Sequence, residues 1–393
     1  MTIEATARPH SHGAGSEVPP KTKSQLLQSF DVAEFPELTG REEHWRFTPL
    51  RRIGDLANPE APVAAGVHRG SRSQTGGVSV TTVAKKDDER FGSILTPFDR
   101  PSAAAWSKSD EALLISVDAG AVIEEPVLID VVGTAQEGVS WGHTFIDVGA
   151  TAEVTLIVRH SGSAQLADNV EVSLGNGAHL TIVSLADWSS DSVQLQHQKV
   201  RVGRDAKLNH ISVTMGGDLV RQYLSVEYDG PGGDVDAYGL YFADDGQHHE
   251  LRQLMNHNQP DCRSNVNYRG ALQGASSRTV WVGDVLIQAQ ATGTDTYEIN
   301  RNLVLTDGAR ADSVPNLEIE TGEIVGAGHA SATGRFDENQ LFYLQSRGIS
   351  EEEARKLVVR GFFNEVIQKI PSPQLREELT ASIESRLAKT GVA

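Results

Sequence analysis

Phe145-Ile-Asp-Val-Gly149-Ala-Thr-Ala152-Glu-Val154 and Val172-Ser-Leu-Gly175-Asn-Gly-Ala178-His-Leu180 share the pattern that decides the fold: an alternating strand, a glycine, a small residue three positions on, and a second alternating strand. Val200-Arg-Val-Gly203-Arg-Asp-Ala206-Lys-Leu208 and Val226-Glu-Tyr-Asp-Gly230-Pro-Gly-Gly233-Asp-Val235 repeat it. The glycine steps are 175 − 149 = 26, 203 − 175 = 28 and 230 − 203 = 27. Val117-Asp-Ala-Gly120 precedes the first by a similar step, 149 − 120 = 29, and Leu305-Thr-Asp-Gly308-Ala-Arg-Ala311 recurs later. A repeat of this length without alignable side chains predicts a β-helix, each coil a few short strands, with glycine supplying positive φ at a repeated corner. Val172, Leu174, Leu180 and Ile182 are then expected to point inward and stack from coil to coil, while Glu171, Ser173, Thr181 and Ser184 face out. The competing architecture is a β-sandwich, whose turns recur roughly every 8–12 residues.

Outward from this core, the chain changes character at both ends. Residues 1–23 are rich in Gly, Ser, Pro, His and Thr and are expected to be disordered. A mixed, partly helical region is expected over 24–110: Leu26-Leu27…Phe30…Val32 suggests a short helix and Val78-Ser-Val80-Thr-Thr-Val83 a strand. The β-helix is assigned to 111–334 and a helical region to 335–393. In the latter, Ser350-Glu-Glu-Glu353 reads as a capping box, followed at helical spacing by Ala354, Leu357, Val358, Gly361, Phe362 and Val366. Pro371-Ser-Pro373 ends that helix, and Leu375, Leu379, Ile383 and Leu387 mark another. Two amphipathic helices need a surface. Either they cap the open end of the solenoid, or part of the apolar face, with Ala354, Leu357, Val358, Phe362 and Val366 as its candidates, binds another protein.

The charge of −18 over 393 residues argues against nucleic acid or an anionic membrane surface as partner, since both call for a net basic patch. No signal-like start and no long apolar run is present, so a cytoplasmic location is expected. No Gly-Lys dipeptide occurs, which excludes a phosphate-binding P-loop, and Gly326-Ala-Gly328-His-Ala-Ser331 fails the dinucleotide fingerprint at its last glycine.

Candidate chemistry is sparse. Cys262 is the sole cysteine, so neither an internal disulfide nor a Cys-x-x-Cys metal pair exists, and its expected state is an inert core thiol. Asp244, Asp245, Asp284, Asp295, Asp312, Glu318 and Glu320 could line a groove on neighbouring coils, as a polysaccharide-cleaving enzyme requires, or simply solvate strand faces. His248, His249 and His257 are read as flanking a loop. His329 stands in Gly326-Ala-Gly-His-Ala-Ser-Ala-Thr-Gly334, so small-residued that its imidazole would be accessible, either as a metal ligand shared between subunits or as a hydrogen-bonded surface histidine.

Pro315-Asn-Leu-Glu-Ile319, Val325-Gly-Ala-Gly-His329-Ala-Ser-Ala-Thr-Gly334 and Leu341-Phe-Tyr-Leu-Gln-Ser-Arg-Gly-Ile349 together resemble the SufD branch of the SufB/SufD superfamily, scaffold subunits of SUF iron–sulfur cluster assembly. Glu43-His-Trp-Arg-Phe-Thr-Pro-Leu50 and Asn300-Arg-Asn-Leu-Val-Leu305 fit the same family. The resemblance implies a right-handed parallel β-helix with helical regions at both ends and no enzymatic activity of its own. It also implies a heterodimer with SufB through the β-helices, or a homodimer in isolation, and docking of the ATPase SufC on the C-terminal helices. His329 occupies the position of the family histidine implicated in building a transient cluster shared with SufB. Many relatives carry cysteine two residues earlier, where this chain has Ala327, so thiolates would come mainly from the partner. The same absence favours SufD over SufB. Reduced flavin is associated with such complexes, and nothing in the sequence marks a flavin site.

Overall fold

Branched aliphatic residues at alternate positions give strands, and in this chain the strands wind. The computed structural model describes residues 27–64, 66–72, 75–134, 137–336 and 338–389; the disorder expected for 1–23 lies outside these residues. Two nine-stranded sheets face each other across a packed lumen. The first runs β1 (Val67–Ser71), β4 (Val127–Thr134), β6 (Glu153–Ser163), β8 (His179–Trp188), β10 (Lys207–Thr214), β12 (Asp234–Ala243), β14 (Arg263–Leu272), β16 (Asp295–Val304) and β18 (Gly326–Arg335). The second runs β2 (Val78–Ala84), β3 (Glu111–Val117), β5 (Ser140–Val148), β7 (Gln165–Leu174), β9 (Val193–Val202), β11 (Leu219–Tyr228), β13 (His248–His257), β15 (Arg278–Ile287) and β17 (Arg310–Ile319). β1 and β2 pair antiparallel with β4 and β3, and every later pairing is parallel. This is the expected β-helix, not a sandwich.

The register reproduces the sequence period. Leu156 pairs with Ile182, Ile182 with His210 and His210 with Ala237, the same three steps that separate the glycines. Val172, Leu174, Leu180 and Ile182 all lie in the luminal core, as expected. The corner geometry differs from the expectation. Gly149, Gly175 and Gly203 do not carry the positive φ; it falls two residues on, at Thr151 (57°), Gly177 (67°) and Asp205 (55°). The repeated glycines are there because the preceding coil leaves no room for a side chain. A Cβ on Gly149 would lie 2.5 Å from the Ala119 nitrogen, on Gly175 2.5 Å from the Ala150 nitrogen, and on Gly203 2.6 Å from the Leu174 oxygen. The corner is stitched by its own ladder, in which the amide of Thr151 donates to Asn176, Gly177 to Arg204 and Asp205 to Pro231. Gly203→Ala should therefore destabilise the fold by about 1–3 kcal/mol through overpacking against unyielding backbone. Urea unfolding checks this, and a neutral substitution would contradict the close-approach explanation.

Outward-facing positions are not uniformly exposed. Ser173 and Thr181 are half-buried, but Glu171 and Ser184 are buried, because both sheets are covered outside. The N-terminal region lies on the second sheet. Its expected helix at 26–32 is not formed over the described Leu27–Asp31; a single 3-10 turn, Val32–Glu34, takes its place, capped by Asp31. The region's α-helix, α1 (Arg100–Lys108), starts at Asp99, whose carboxylate accepts from the Ser102 amide.

On the first sheet lie two of the C-terminal helices, which follow α2 (Glu338–Ser346): α3 (Glu351–Ile367) and α4 (Pro373–Lys389). Ser350 caps α3 by accepting from the Glu353 amide, as its sequence predicts. Leu375, Leu379, Ile383 and Leu387 of α4 are buried against a stripe that includes Val183, Leu185, Ile211, Val213 and Leu240. Each such side chain contributes roughly 1.5–3 kcal/mol on burial. The helices thus flank the solenoid and do not cap its open end. Central strands such as β12 are apolar on both faces, one for the lumen and one for the helices, which creates this lateral seat.

Candidate functional site

The solenoid ends at β17 and β18, the terminal strands of their sheets, each paired on one side only. Near them Tyr297, Ile319 and Val325 stand exposed, with Val325 at 75%. An unpaired strand edge with apolar flanks is a template for another chain.

The lumen changes chemistry as it approaches this end. On β4, β6 and β8 the inward side chains include Val127, Ile129, Leu156, Leu180 and Ile182. On β16 they are Thr296, Glu298, Asn300 and Asn302, all buried. Burying such groups is tolerated only with hydrogen bonds, and the asparagines have them. The Tyr241 hydroxyl donates to Asn302 Oδ1 at 2.6 Å and accepts from Asn300 Nδ2 at 2.8 Å. Ser313 Oγ donates to Asn300 Oδ1 at 2.7 Å, and Asn302 Nδ2 donates to Ser313 Oγ at 3.0 Å. Burial raises the Tyr241 hydroxyl above its ordinary pKa, so it remains a donor. A neighbouring chain of contacts links His257 Nε2 to Ser264 Oγ at 2.8 Å and Ser264 to Thr296 Oγ1 at 2.7 Å.

His329 sits on β18, exposed, in register with Glu298 of β16. Among the described residues no group of three or more His, Cys, Asp or Glu side chains could hold a metal ion. Cys262 is not brought to His329. It is buried at the corner before β14, its thiol donating to the carbonyls of Gly230 and Pro260 at 3.6 and 3.4 Å, with burial pushing its pKa up.

The remaining candidates are scattered. His248, His249 and His257 lie on strand β13 and are all buried, so the expected flanking loop is not there. Their burial follows from the coverage of the sheet's outer face at His248 and from the inward direction of His249 and His257, which share the beat of luminal Leu251 and Met255. The candidate carboxylates do not converge: Asp244 meets Arg386 Nη1 at 2.7 Å, Asp312 meets Arg310 Nη2 at 2.9 Å, and Asp284 accepts from Asn316 at 2.7 Å. On α3, Ala354 and Val366 are fully buried within the chain's own core, and Val358 and Phe362 are partly buried against it, so the stripe taken as partner-facing is mostly turned inward. Val359, Phe363 and Ile367, which the spacing did not single out, complete the seat. Leu357 alone of the five is exposed, together with Phe342 and Tyr343 on α2.

The Glu43–Leu50 motif is a clamp. Thr48 Oγ1 donates to Glu250 Oε2 at 2.7 Å, Arg221 Nη2 donates to the His44 carbonyl at 3.0 Å, and the Arg221 guanidinium lies 4.0 Å above the Trp45 ring. Glu250 is fully buried and also accepts from Arg252 Nε at 2.6 Å and Arg221 Nε at 3.2 Å. Burial opposes its ionisation, but the two guanidiniums and His248 outweigh it and hold the carboxyl far below its usual pKa.

Sequence reasoning missed Glu298, Asn300 and Asn302 as luminal groups. Thr296-Tyr-Glu-Ile-Asn-Arg-Asn302 alternates, but with polar residues on the inward beat, so pattern alone orients this strand backwards. The only signal was phase: counting coils forward from Ile182 puts Glu298 inside.

Comparison with known proteins agrees with this geometry. The family model described as "SUF system FeS cluster assembly, SufBD core domain" matches residues 131–362, more than half the chain. The chain is 52% identical over 383 residues to an iron–sulfur cluster assembly SufBD family protein of Mycobacterium tuberculosis, covering 94% of each chain. It is also 52% identical over 382 residues to one from Mycobacterium leprae, covering 96% of this chain and 97% of the relative. Similarity to the Escherichia coli iron–sulfur cluster assembly protein SufD is 27% over 265 residues, 65% of this chain and 61% of that one. A parallel β-helix carrying the Asn300–Leu305 and Gly326–Gly334 strands at its open end, matched along nearly its whole length, belongs to the SufBD family of iron–sulfur cluster assembly proteins.

Proposed function

We propose that this chain is a non-catalytic, SufD-type scaffold that pairs with SufB through the β17–β18 end and carries the SufC ATPase on its C-terminal helices. The observation that carries the reading is the end of the solenoid: two unpaired strand edges beside an accessible histidine, with no self-sufficient ligand set among the described residues. A cluster needs four ligands, usually thiolates. With Cys262 buried elsewhere, His329 is the group this chain offers and the partner supplies the sulfur ligands. The iron–sulfur cluster is cargo, assembled at the junction and passed on. Without SufB, the same edges pair two copies of the chain.

The exposed Phe342, Tyr343 and Leu357 are the large apolar groups left for SufC, because the other apolar residues of α3 are turned to the chain's own core. Nucleotide hydrolysis belongs to SufC, this chain having no P-loop. The proposed place of work is the cytoplasm. Among the described residues no helix is long and apolar enough to cross a membrane.

Co-expression with SufB and SufC and anaerobic purification test the reading. The expected result is a three-component complex with bound iron and sulfide. His329→Ala should leave the complex assembled and reduce the cluster content about 10-fold or more, the scale on which lost metal-site groups act. Undiminished cluster formation in that variant would sink the ligand role.

A further inference from the structure

Arg221 spreads its guanidinium over three directions, and one of them ends short. Nε donates to Glu250 at 3.2 Å and Nη2 to the His44 carbonyl at 3.0 Å. Nη1 stands 3.7 Å from Asp99 Oδ2, outside hydrogen-bond range. Both side chains are buried, Arg221 at 3% exposure and Asp99 at 8%. Opposite charges withdrawn from water at that separation gain only part of the attraction that offsets their desolvation, and burial holds the Asp99 carboxyl above its ordinary pKa in spite of the guanidinium. A polar gap of this width suits a bridging water.

The gap borders a recess of about 10 Å³ whose walls include Trp45, Phe98, Asp99, His197, Arg221 and Tyr223. That is about the room a single water molecule needs. His197 brings a third polar group to it. This residue is only 7% exposed, and its Nδ1 makes no hydrogen bond within the described residues. The tautomer follows from the other side of the ring: Ser225 Oγ gives its proton to the Gln198 carbonyl, so His197 Nε2, 3.4 Å from that oxygen, is the donor and Nδ1 is left as an acceptor. Burial, with Lys199 and Arg221 nearby, keeps the imidazole neutral. Phe98 packs edge-on against this ring, 4.7 Å between centroids, and fixes it at the recess.

We propose that one structural water occupies this recess, accepting from Arg221 Nη1 and donating to Asp99 Oδ2 and His197 Nδ1. The charges on either side select it. Asp99 repels an anion and Arg221 a cation, and the bridge needs a molecule that both donates and accepts. Two hydrogen bonds given and one received fall within the usual complement of a buried water. The bridge joins two parts of the N-terminal region over the second sheet, since Asp99 caps α1 and Arg221 lies over the Trp45 ring.

A high-resolution crystal structure of the full chain tests this directly. The expected result is a single ordered solvent peak about 2.7–3.2 Å from each of Arg221 Nη1, Asp99 Oδ2 and His197 Nδ1. A direct Arg221–Asp99 hydrogen bond with no peak between them overturns the proposal. In solution, long-range proton–nitrogen spectra of the 15N-histidine-labelled chain should show His197 protonated at Nε2. The opposite tautomer overturns the arrangement, because a protonated Nδ1 cannot accept. His197→Phe, which keeps a ring but removes the acceptor, should lose the solvent peak; an unchanged peak overturns the three-point bridge. Should that variant not fold, the peak and the tautomer of the unaltered chain decide.

Discussion

Lowering the pH from 6.5 to 5 should destabilise this protein by roughly 6 kcal/mol through three buried histidines. Burial holds His210 neutral with its pKa pushed down to about 4, and burial does the same to His249 and His257, each at about 3. All three are almost wholly shielded from solvent. In the unfolded chain they protonate near 6.5. Below that pH the unfolded state takes up protons that the folded state refuses, so stability falls, by about 1.4 kcal/mol per pH unit per histidine until the folded pKa is reached. The loss is about 2 kcal/mol each over that range, against a typical total of roughly 5–15 kcal/mol. Glu250 acts in the same direction at lower pH: its folded pKa is depressed, so its contribution is present above the unfolded carboxyl pKa and is lost as pH falls further. Denaturant titrations at pH 7.5, 6.5 and 5 measure the effect. His210→Gln, which retains a partner for Gln198, should remove about 2 kcal/mol of the drop. Equal stability at pH 6.5 and 5 would mean that these imidazoles are not held neutral.

Removing the Glu250 carboxylate should cost about 3–5 kcal/mol, because Glu250→Ala takes from the buried Arg252 its ion-pair partner and leaves buried Arg221 with only the more distant Asp99, at 3.7 Å. The damage has a predictable location. Glu250 joins the second sheet to Thr48, and Arg221 holds the His44 carbonyl and the Trp45 ring, so the variant should release the segment around 44–52 before the solenoid itself opens. Limited trypsin digestion should then cut at Arg46, Arg51 or Arg52 several-fold faster than in the wild type, with a lowered midpoint in urea. Glu250→Gln, which keeps an acceptor but loses the charge, should fall between the two. A variant as stable and protease-resistant as the parent would show that the clamp is dispensable.

Glu171 repeats this device further along the same sheet. Its carboxylate accepts from the backbone amides of Gly92, Ile94 and Leu95 and from His143 Nε2 at 2.8 Å. The two anchors explain why the N-terminal region lies on a strand face that alternation assigns to solvent. Glutamate on the outward beat of a strand looks the same in sequence whether it meets water or a folded segment from a remote part of the chain.

The coil pitch, the luminal aliphatic rows, the cap of α3 and the break between α3 and α4 were all legible in the residues. These are local or periodic matters: alternation sets which side chains can share a face, and a cap or a Pro-x-Pro pair acts within one turn. A single cysteine likewise sufficed to show that these residues cannot by themselves supply several thiolates. Folding settled the rest. Which coil presses on which corner, and so why Gly149, Gly175 and Gly203 are glycines while the positive φ sits at Thr151, Gly177 and Asp205, depends on contacts between coils. That α3 and α4 lie along the solenoid depends on the assembled sheet, because only there is its outer face seen to be apolar too. Glu298 comes to lie beneath His329, a full coil earlier in the chain, through parallel register, which no local pattern encodes and which the polar beat of β16 disguises.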